Sequence, residues 1–416
     1  MRRAGLGLTF GSVASILFSI ALSQVLLGAA LLVLLVSKEP KRFPPIKLPL
    51  ALFFSWTVLS ALHSGHFMEG LPQIRKFFVF ATAMVVASLF TTGRQVAALV
   101  WTWAGVGMLS AGFGFGQLWH RYQQARAEGA NYYEYFLDAR LHGLAGHWMT
   151  FGGELMIISM LLLAMALFGM KKKPMLIALL CLPVLWGSLI LGLTRGVFLI
   201  GVPTGAAYLL FAWKRWTILV IPLAFLAASL AMPFQVGERI ISVVRPHGND
   251  DSNLRRIILT RAGLQMIKAH PIFGLGPEQV GRDFMMYVPS DIPRPLPKGW
   301  YGHLHNIYLQ YGAERGLPAL AFIIWLLIKA LYDLHVAARR QRSHPESWIL
   351  RGAVAAILAI MAEGLFEHNL GDSEVLTMFL TVLSFGYIAQ WSIQNQGALA
   401  DNEPVRIQHR PLLQAS

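Results

Sequence analysis

The chain is a succession of long apolar runs separated by polar breaks, and the longest departure from the pattern lies between about residues 234 and 317. A helix crossing a bilayer core of about 30 Å needs roughly 17 to 25 apolar residues. Runs of about that length occur at approximately 4–20, 22–37, 47–63, 76–91, 96–116, 148–169, 175–193, 197–213, 217–233, 318–334, 348–366 and 375–393. They are continuous rather than alternating with period two, which selects helices over a lipid-facing barrel. The expected architecture is an all-α integral membrane protein of about twelve transmembrane helices, with a helical segment outside the membrane between the ninth and tenth. It divides into nine spans over 1–233, the external segment 234–317, three spans over 318–393 and a polar tail over 394–416.

Composition agrees: 55% of the residues are hydrophobic, 13% are charged and mean hydropathy is +0.53, which excludes an ordinary soluble domain. The apolar stretch after Arg3 continues to about Val36 without a site suited to cleavage, so it reads as two retained spans rather than a removed signal. Cys181 is the single cysteine and sits in an apolar run, which rules out a disulfide framework and a cysteine zinc site. No internal duplication is visible, unlike many transporters built from repeated halves. The spans are also poor in acids, with Glu154 and Glu363 the main ones.

Charge orients the spans, because short basic connections stay in the cytoplasm. Arg2 and Arg3, the basic run at 38–42, Arg94, Lys171 to Lys173, Lys214 with Arg215, and Arg339, Arg340 and Arg342 all fall on one side of the twelve-span arrangement. Both termini are then expected in the cytoplasm. The opposite face receives 64–75, 117–147, the tip at Arg195, 234–317 and 367–374. Between Phe234 and Gly302 nine Lys or Arg stand against six Asp or Glu, an excess of three on a face where basic residues have no orienting role.

Those basic residues are placed for an anion. Arg195 sits in the tight tip ILGLTRGVFLI, where it either snorkels to the interface or meets a negative ligand. Residues 253–269 suit an amphipathic helix, started by Ser252 or Asn253 and closed by His270-Pro271. At 100° per residue Arg256 shares a face with Thr260, and Arg261 with Gln265 and Lys268, while Ile257, Ile258, Leu264 and Ile267 are expected to pack on the spans. A guanidinium fork suits phosphate because it bonds two oxygens at once and keeps its charge, although the same residues also make an ordinary solvated face. The turn from Pro271 to Pro277 has glycines that permit close backbone approach but lacks the spacing of a nucleotide loop. Asp250-Asp251 reads as turn or cap chemistry rather than a metal pair.

His303 and His305 lie in GWYGHLHNIYLQYGAERG, with Asn306 suited to cap the following helix. On a helix two residues so spaced lie about 200° apart, so only one of them would face a given site. An imidazole there suits a general base, whereas zinc would lack a third ligand at an obvious spacing.

Taken together, Arg256 on its amphipathic helix, the turn AHPIFGLGPE and then HLHNIYLQYGAERGLP resemble, in order, interval and placement in the largest external loop, the bacterial O-antigen ligase and polymerase superfamily. The resemblance implies a membrane-embedded glycosyltransferase of the GT-C kind in the bacterial inner membrane, with its active site facing the periplasm. It implies a donor glycan on undecaprenyl diphosphate and, for a ligase, a sugar hydroxyl of lipid A-core as acceptor. Arg195, Arg256 and Arg261 would hold the diphosphate, and His303 or His305 would activate the hydroxyl. Thr260 stands where the family helix usually carries an aromatic residue. Membrane lipids are the expected surroundings; no cofactor, no metal and no nucleic acid are expected. A polymerase with the same donor is the alternative, followed by a protein-glycan ligase and, in a different class, a lipid-diphosphate transporter.

Overall fold

The computed structural model describes residues 1–129, 140–169, 171–192, 194–223, 252–297, 299 and 301–401. All regular elements among them are helical. Seven of these helices are long and apolar enough to cross a membrane: Phe67–Leu89, Gly93–Glu128, Trp148–Phe168, Lys172–Leu191, Gly196–Trp213, Ile307–Arg340 and Ser373–Asn395. Ile20–Val36 and Lys47–His63 are shorter and also apolar. The expected first span, 4–20, is a helix of only 14 residues, Arg2–Ser15, which at 1.5 Å per residue rises about 21 Å. Of the expected ninth span, 217–233, the described part ends at residue 223. The start of the external segment, Asp250 and Asp251 included, and the tail from 402 lie outside the described residues.

Trp148–Phe168 is the most enclosed of the long helices, with 89% of its apolar window buried. It is apolar on every side, the pattern of a helix surrounded by others, and it packs against Lys172–Leu191, Val202–Trp213, Ser347–Glu363 and Ser373–Asp401. Lipid offers helices no hydrophobic reason to associate, so close contact at small residues carries the packing. Gly201 and Gly205, four apart, supply it: both lie against Met156 or Met160, and a Cβ on Gly205 would come within 2.8 Å of the Ala355 carbonyl. The same helix face continues up to Gly196, where a Cβ would sit 3.1 Å from Cγ of Glu367. Small residues in the bundle thus set how closely the Arg195 tip approaches the connection after Glu363.

Gly93–Glu128 runs 36 residues, about 54 Å, well beyond the apolar stretch 96–116. A capping box of Thr92 with Gln95 starts it, and nothing breaks it before Gly129, whose left-handed φ of 62° closes it. The beginning of the expected external connection 117–147 is therefore helical, and it carries Gln117, His120, Arg121 and Gln124 outward.

Ile307–Arg340 is interrupted at Gly316 (φ 78°, ψ 173°), two residues before Pro318. The carbonyls released by the break are taken up by the glycine turn: Leu275 N–H donates to Ala313 O at 2.9 Å and Gly276 N–H to Glu314 O at 2.9 Å. In return Leu317 N–H donates to Pro271 O at 2.8 Å. Trp56 Nε1 and Ser60 Oγ pin the turn to a third helix through Ile272 O (3.1 Å) and Phe273 O (2.6 Å). The close approach that the glycines permit is thus to another helix.

Ser252–Ala269 packs through Ile258, Leu259, Ala262 and Met266, which join Val280, Phe284, Leu304 and Ala313 in an apolar cluster separate from that of the main bundle. Ile257 and Leu264, expected to pack on the spans, are instead each 54% exposed. The buried stripe is rotated because the helix rests on the 280–304 segment as well as on Ile307–Arg340, where Ile267 lies against Gly312, and local periodicity does not reveal this.

Candidate functional site

The site is assembled by a clamp between two segments. Asn306 caps the 307 helix by accepting N–H bonds from Tyr308 and Leu309 at 2.9 Å each, while its own Nδ2 donates to Leu365 O at 2.9 Å. Ile307 N–H donates to Gly364 O at 2.8 Å and the Tyr308 hydroxyl to Met361 O at 2.7 Å. The chain after Glu363 continues for about another turn, with Glu367 N–H bonded to Glu363 O at 3.1 Å. Lys76 Nζ, which donates to Gly371 O, and Asn369 Nδ2, 2.8 Å from Glu363 Oε1, fix the rest of that connection. His305 and Glu367 are thereby brought face to face.

Glu367 is the hub. Its Oε1 accepts from Arg256 Nη2 at 2.6 Å, and its Oε2 lies 3.0 Å from His305 Nδ1. Burial alone would raise its pKa, but the His305 hydrogen bond and the Arg256 charge outweigh that and hold the carboxyl below the usual range. Against an ionised carboxylate the His305 Nδ1 donates, which leaves the Nε2 lone pair for a proton from elsewhere. His305 adopts φ 47°, left-handed backbone that costs a non-glycine residue about 1 kcal/mol. Its N–H reaches His303 Nδ1 at 3.2 Å.

The two imidazoles, expected to point apart, have ring centroids 4.1 Å from one another because the backbone bends there instead of continuing as helix. They are not equivalent. Burial, with the His305 ring adding to it, pushes the His303 pKa down to about 3. Burial likewise holds His368, whose ring lies 5.9 Å from His303, well below the ordinary value. His303 stays neutral and positions His305, whose Nδ1 meets Glu367.

This has a measurable consequence for stability. An unfolded His takes up a proton near pH 6.5, and folded His303 does not until about pH 3, so folding stability contributed at this position falls as the pH drops below 6.5. At pH 5 the loss is about 2 kcal/mol. In His303→Asn, whose Oδ1 can accept the same N–H, the melting temperature should fall less between pH 7 and pH 5 than in the unsubstituted protein. Equal acid sensitivity in both would contradict the assignment.

The three arginines separate as well. Arg256, Thr260, Arg261 and His305 line one cavity of about 250 Å³, together with Leu304, Asn306 and Phe366. Thr260 contributes a short side chain to that lining. Arg261 is at the rim, its guanidinium forked onto Asp291 at 2.8 and 2.9 Å. Arg195 is 7% exposed, directly before the π-helical turn Gly196–Gly201, whose first residue rests on Glu367. Such turns often mark functional positions. Among the described residues no three His, Cys, Asp or Glu are grouped to hold a metal ion.

Glu367 escaped the sequence reading. It lies 62 residues from His305 and 111 from Arg256. The available signal was a lone Glu-His pair in the short connection 367–374, on the same face as the arginines.

A family model described as O-antigen ligase matches residues 176–324, which contain Arg195, Arg256, Arg261, His303 and His305 but stop short of Glu367. None of the curated proteins matches the chain significantly. Over 176–324 the chain is therefore similar to the O-antigen ligase family, and that match, on described residues that are all-helical with several membrane-length helices, supports a member of the O-antigen ligase/polymerase family.

Proposed function

We propose that the protein is an O-antigen ligase, moving a glycan from undecaprenyl diphosphate to a sugar hydroxyl of lipid A-core at the periplasmic face of the inner membrane, with both termini cytoplasmic. The observation that carries this reading is the chain Arg256–Glu367–His305, which joins a cation suited to phosphate with a base held in one tautomer. In the proposed step the acceptor oxygen attacks the anomeric carbon and its proton passes to His305 Nε2. The carbon–oxygen bond to the diphosphate breaks, and the electron pair leaves on the diphosphate oxygen. Diphosphate is already a good leaving group, so catalysis consists of positioning, charge neutralisation and one proton transfer. Arg256, Arg195 and, after release from Asp291, Arg261 would neutralise the leaving group. Attack from the face opposite the diphosphate inverts the anomeric centre.

Carrying the diphosphate without reacting it, as a transporter would, needs no oriented base. Reconstitution with undecaprenyl-diphosphate glycan and lipid A-core, without nucleotide or added metal, should give glycan attached to lipid A. Lengthened polyprenyl-linked glycan would instead identify a polymerase. The double variant His303→Ala/His305→Ala should keep binding the donor while losing transfer; transfer at the unsubstituted rate would refute the enzymatic reading.

A further inference from the structure

Both arginines that line the 250 Å³ cavity are held by carboxylates, and the two carboxylates differ. Glu367 is buried and also holds His305, so Arg256 cannot leave it without disturbing the base. Asp291 is 64% exposed and Arg261 45% exposed along their side chains, and they meet in a fork of two bonds at 2.8 and 2.9 Å. A guanidinium takes two oxygens of a phosphate in the same geometry. Asp291 thus occupies, on Arg261, the place that an anion bound in the cavity would take. We propose that Asp291 is a release residue, which competes with the diphosphate for Arg261 and so limits how tightly the spent lipid carrier is held. The proposal rests on the ligase reading above and concerns the product of that reaction.

The need for such a competitor follows from charge. In the transfer the acceptor proton goes to His305, and the electron pair of the broken carbon–oxygen bond stays on the diphosphate. The diphosphate therefore leaves with one more negative charge than it carried in the donor, on a terminal phosphate that is largely ionised near neutral pH. Arginines placed to bind the donor hold this product more tightly still. Tight binding of both forms does nothing for the chemical step and slows turnover once release limits it. A carboxylate that recaptures one arginine weakens the product complex, while Arg256 stays on Glu367 and the base keeps its orientation.

The fold leaves this exchange to side chains alone. The helix bearing Arg261 packs through Ile258, Leu259 and Ala262, and the segment bearing Asp291 through Val288 and Ile292, all in one apolar cluster. Pro289 and Pro293 lie on either side of Asp291 and fix φ at their own positions, and the Ile292 N–H closes a turn on Pro289 O at 3.2 Å. Asp291 is thereby kept in place, and the long side chain of Arg261, which lines the cavity, is the part that changes partner. Asp291 does not line the cavity, and no carboxylate does among the described residues, so the competitor acts on Arg261 without an acid facing the diphosphate.

The test uses the full-length protein in lipid nanodiscs with farnesyl diphosphate as a stand-in for the spent carrier. Direct binding is measured without acceptor, and transfer separately. Asp291→Asn should tighten binding of the probe by about threefold to fivefold, the upper range for an exposed ion pair. Arg261→Gln should weaken binding, and Asp291→Asn/Arg261→Gln should bind as Arg261→Gln does, because the gain exists only through that arginine. In steady state Asp291→Asn should lower the donor KM and strengthen inhibition by farnesyl diphosphate together, with the first turnover no slower than in the unsubstituted protein. A merely structural ion pair would instead lower the melting temperature and leave these constants alone. Unchanged or weaker probe binding in Asp291→Asn, or the same gain without Arg261, overturns the proposal even if transfer to lipid A-core proceeds. The expected binding changes with no transfer to lipid A-core by the unsubstituted protein support the exchange and count against the ligase reading.

Discussion

Glu367→Gln should slow glycan transfer by about a thousandfold, within the range seen when the carboxylate behind a catalytic imidazole is lost. Glu367 accepts from His305 Nδ1 and from Arg256, and the amide that replaces it has one acceptor oxygen and one donor nitrogen. Whichever way the amide turns, one partner is mismatched. With its oxygen on Arg256, the amide nitrogen faces His305 and drives the imidazole proton onto Nε2, the position that must be vacant to take the acceptor proton. With its oxygen on His305, Arg256 loses its anchor and the conjugate imidazolium loses its counter-charge. The effect should appear in kcat, with KM for either substrate changed little, because the charge matters most when the proton arrives. The shape is conserved, so the melting temperature reports separately on folding. A kcat within about threefold of the unsubstituted protein would remove Glu367 from the proposed mechanism.

The second large effect is on folding. Gly316→Ala should destabilise the protein by about 3 kcal/mol or more, because φ 78° with ψ 173° is backbone that only glycine adopts readily. Space forbids the change as well: a Cβ at this position would run into the Ile272 carbonyl and lie 2.9 Å from Pro271 O. Relief requires the 271–276 turn to lift, which would release the bonds it makes to Ala313 O and Glu314 O and expose carbonyls buried beside Ser60. The helix bearing His305 at its start and the helix bearing Arg256 are both tied to this turn. Loss of folded protein, read by detergent-resistant melting and protease sensitivity, should therefore come with loss of activity. A variant melting within about 2 °C of the unsubstituted protein would show that the break is not held by this residue.

Local chemistry was legible where one segment decides its own conformation. Asn306 caps the helix that its position before an apolar run implies, and Pro271 ends the 252–269 helix where expected. The span placed at 318–334 begins at the Gly316 break because proline and glycine punctuate backbone whatever surrounds them. Reading stopped short where polar residues continue a helix without interrupting it. The 93–128 helix runs on through Gln117 and Arg121 since none of these residues breaks a helix, so the start of what looked like loop is helical.

The amino-acid order by itself determined that this chain is helical and rich in membrane-length apolar runs, that its cations gather outside those runs, and that arginine and imidazole are the residues available for chemistry. Only the packed molecule decided that Arg256 and His305 share Glu367 and that His303 is kept neutral behind His305. The reason is that periodicity and capping depend on neighbours within about a turn or two of helix. Which side chains meet across more than a hundred residues depends on how closely helices approach, and here that is set by Gly196, Gly201 and Gly205 against their partners.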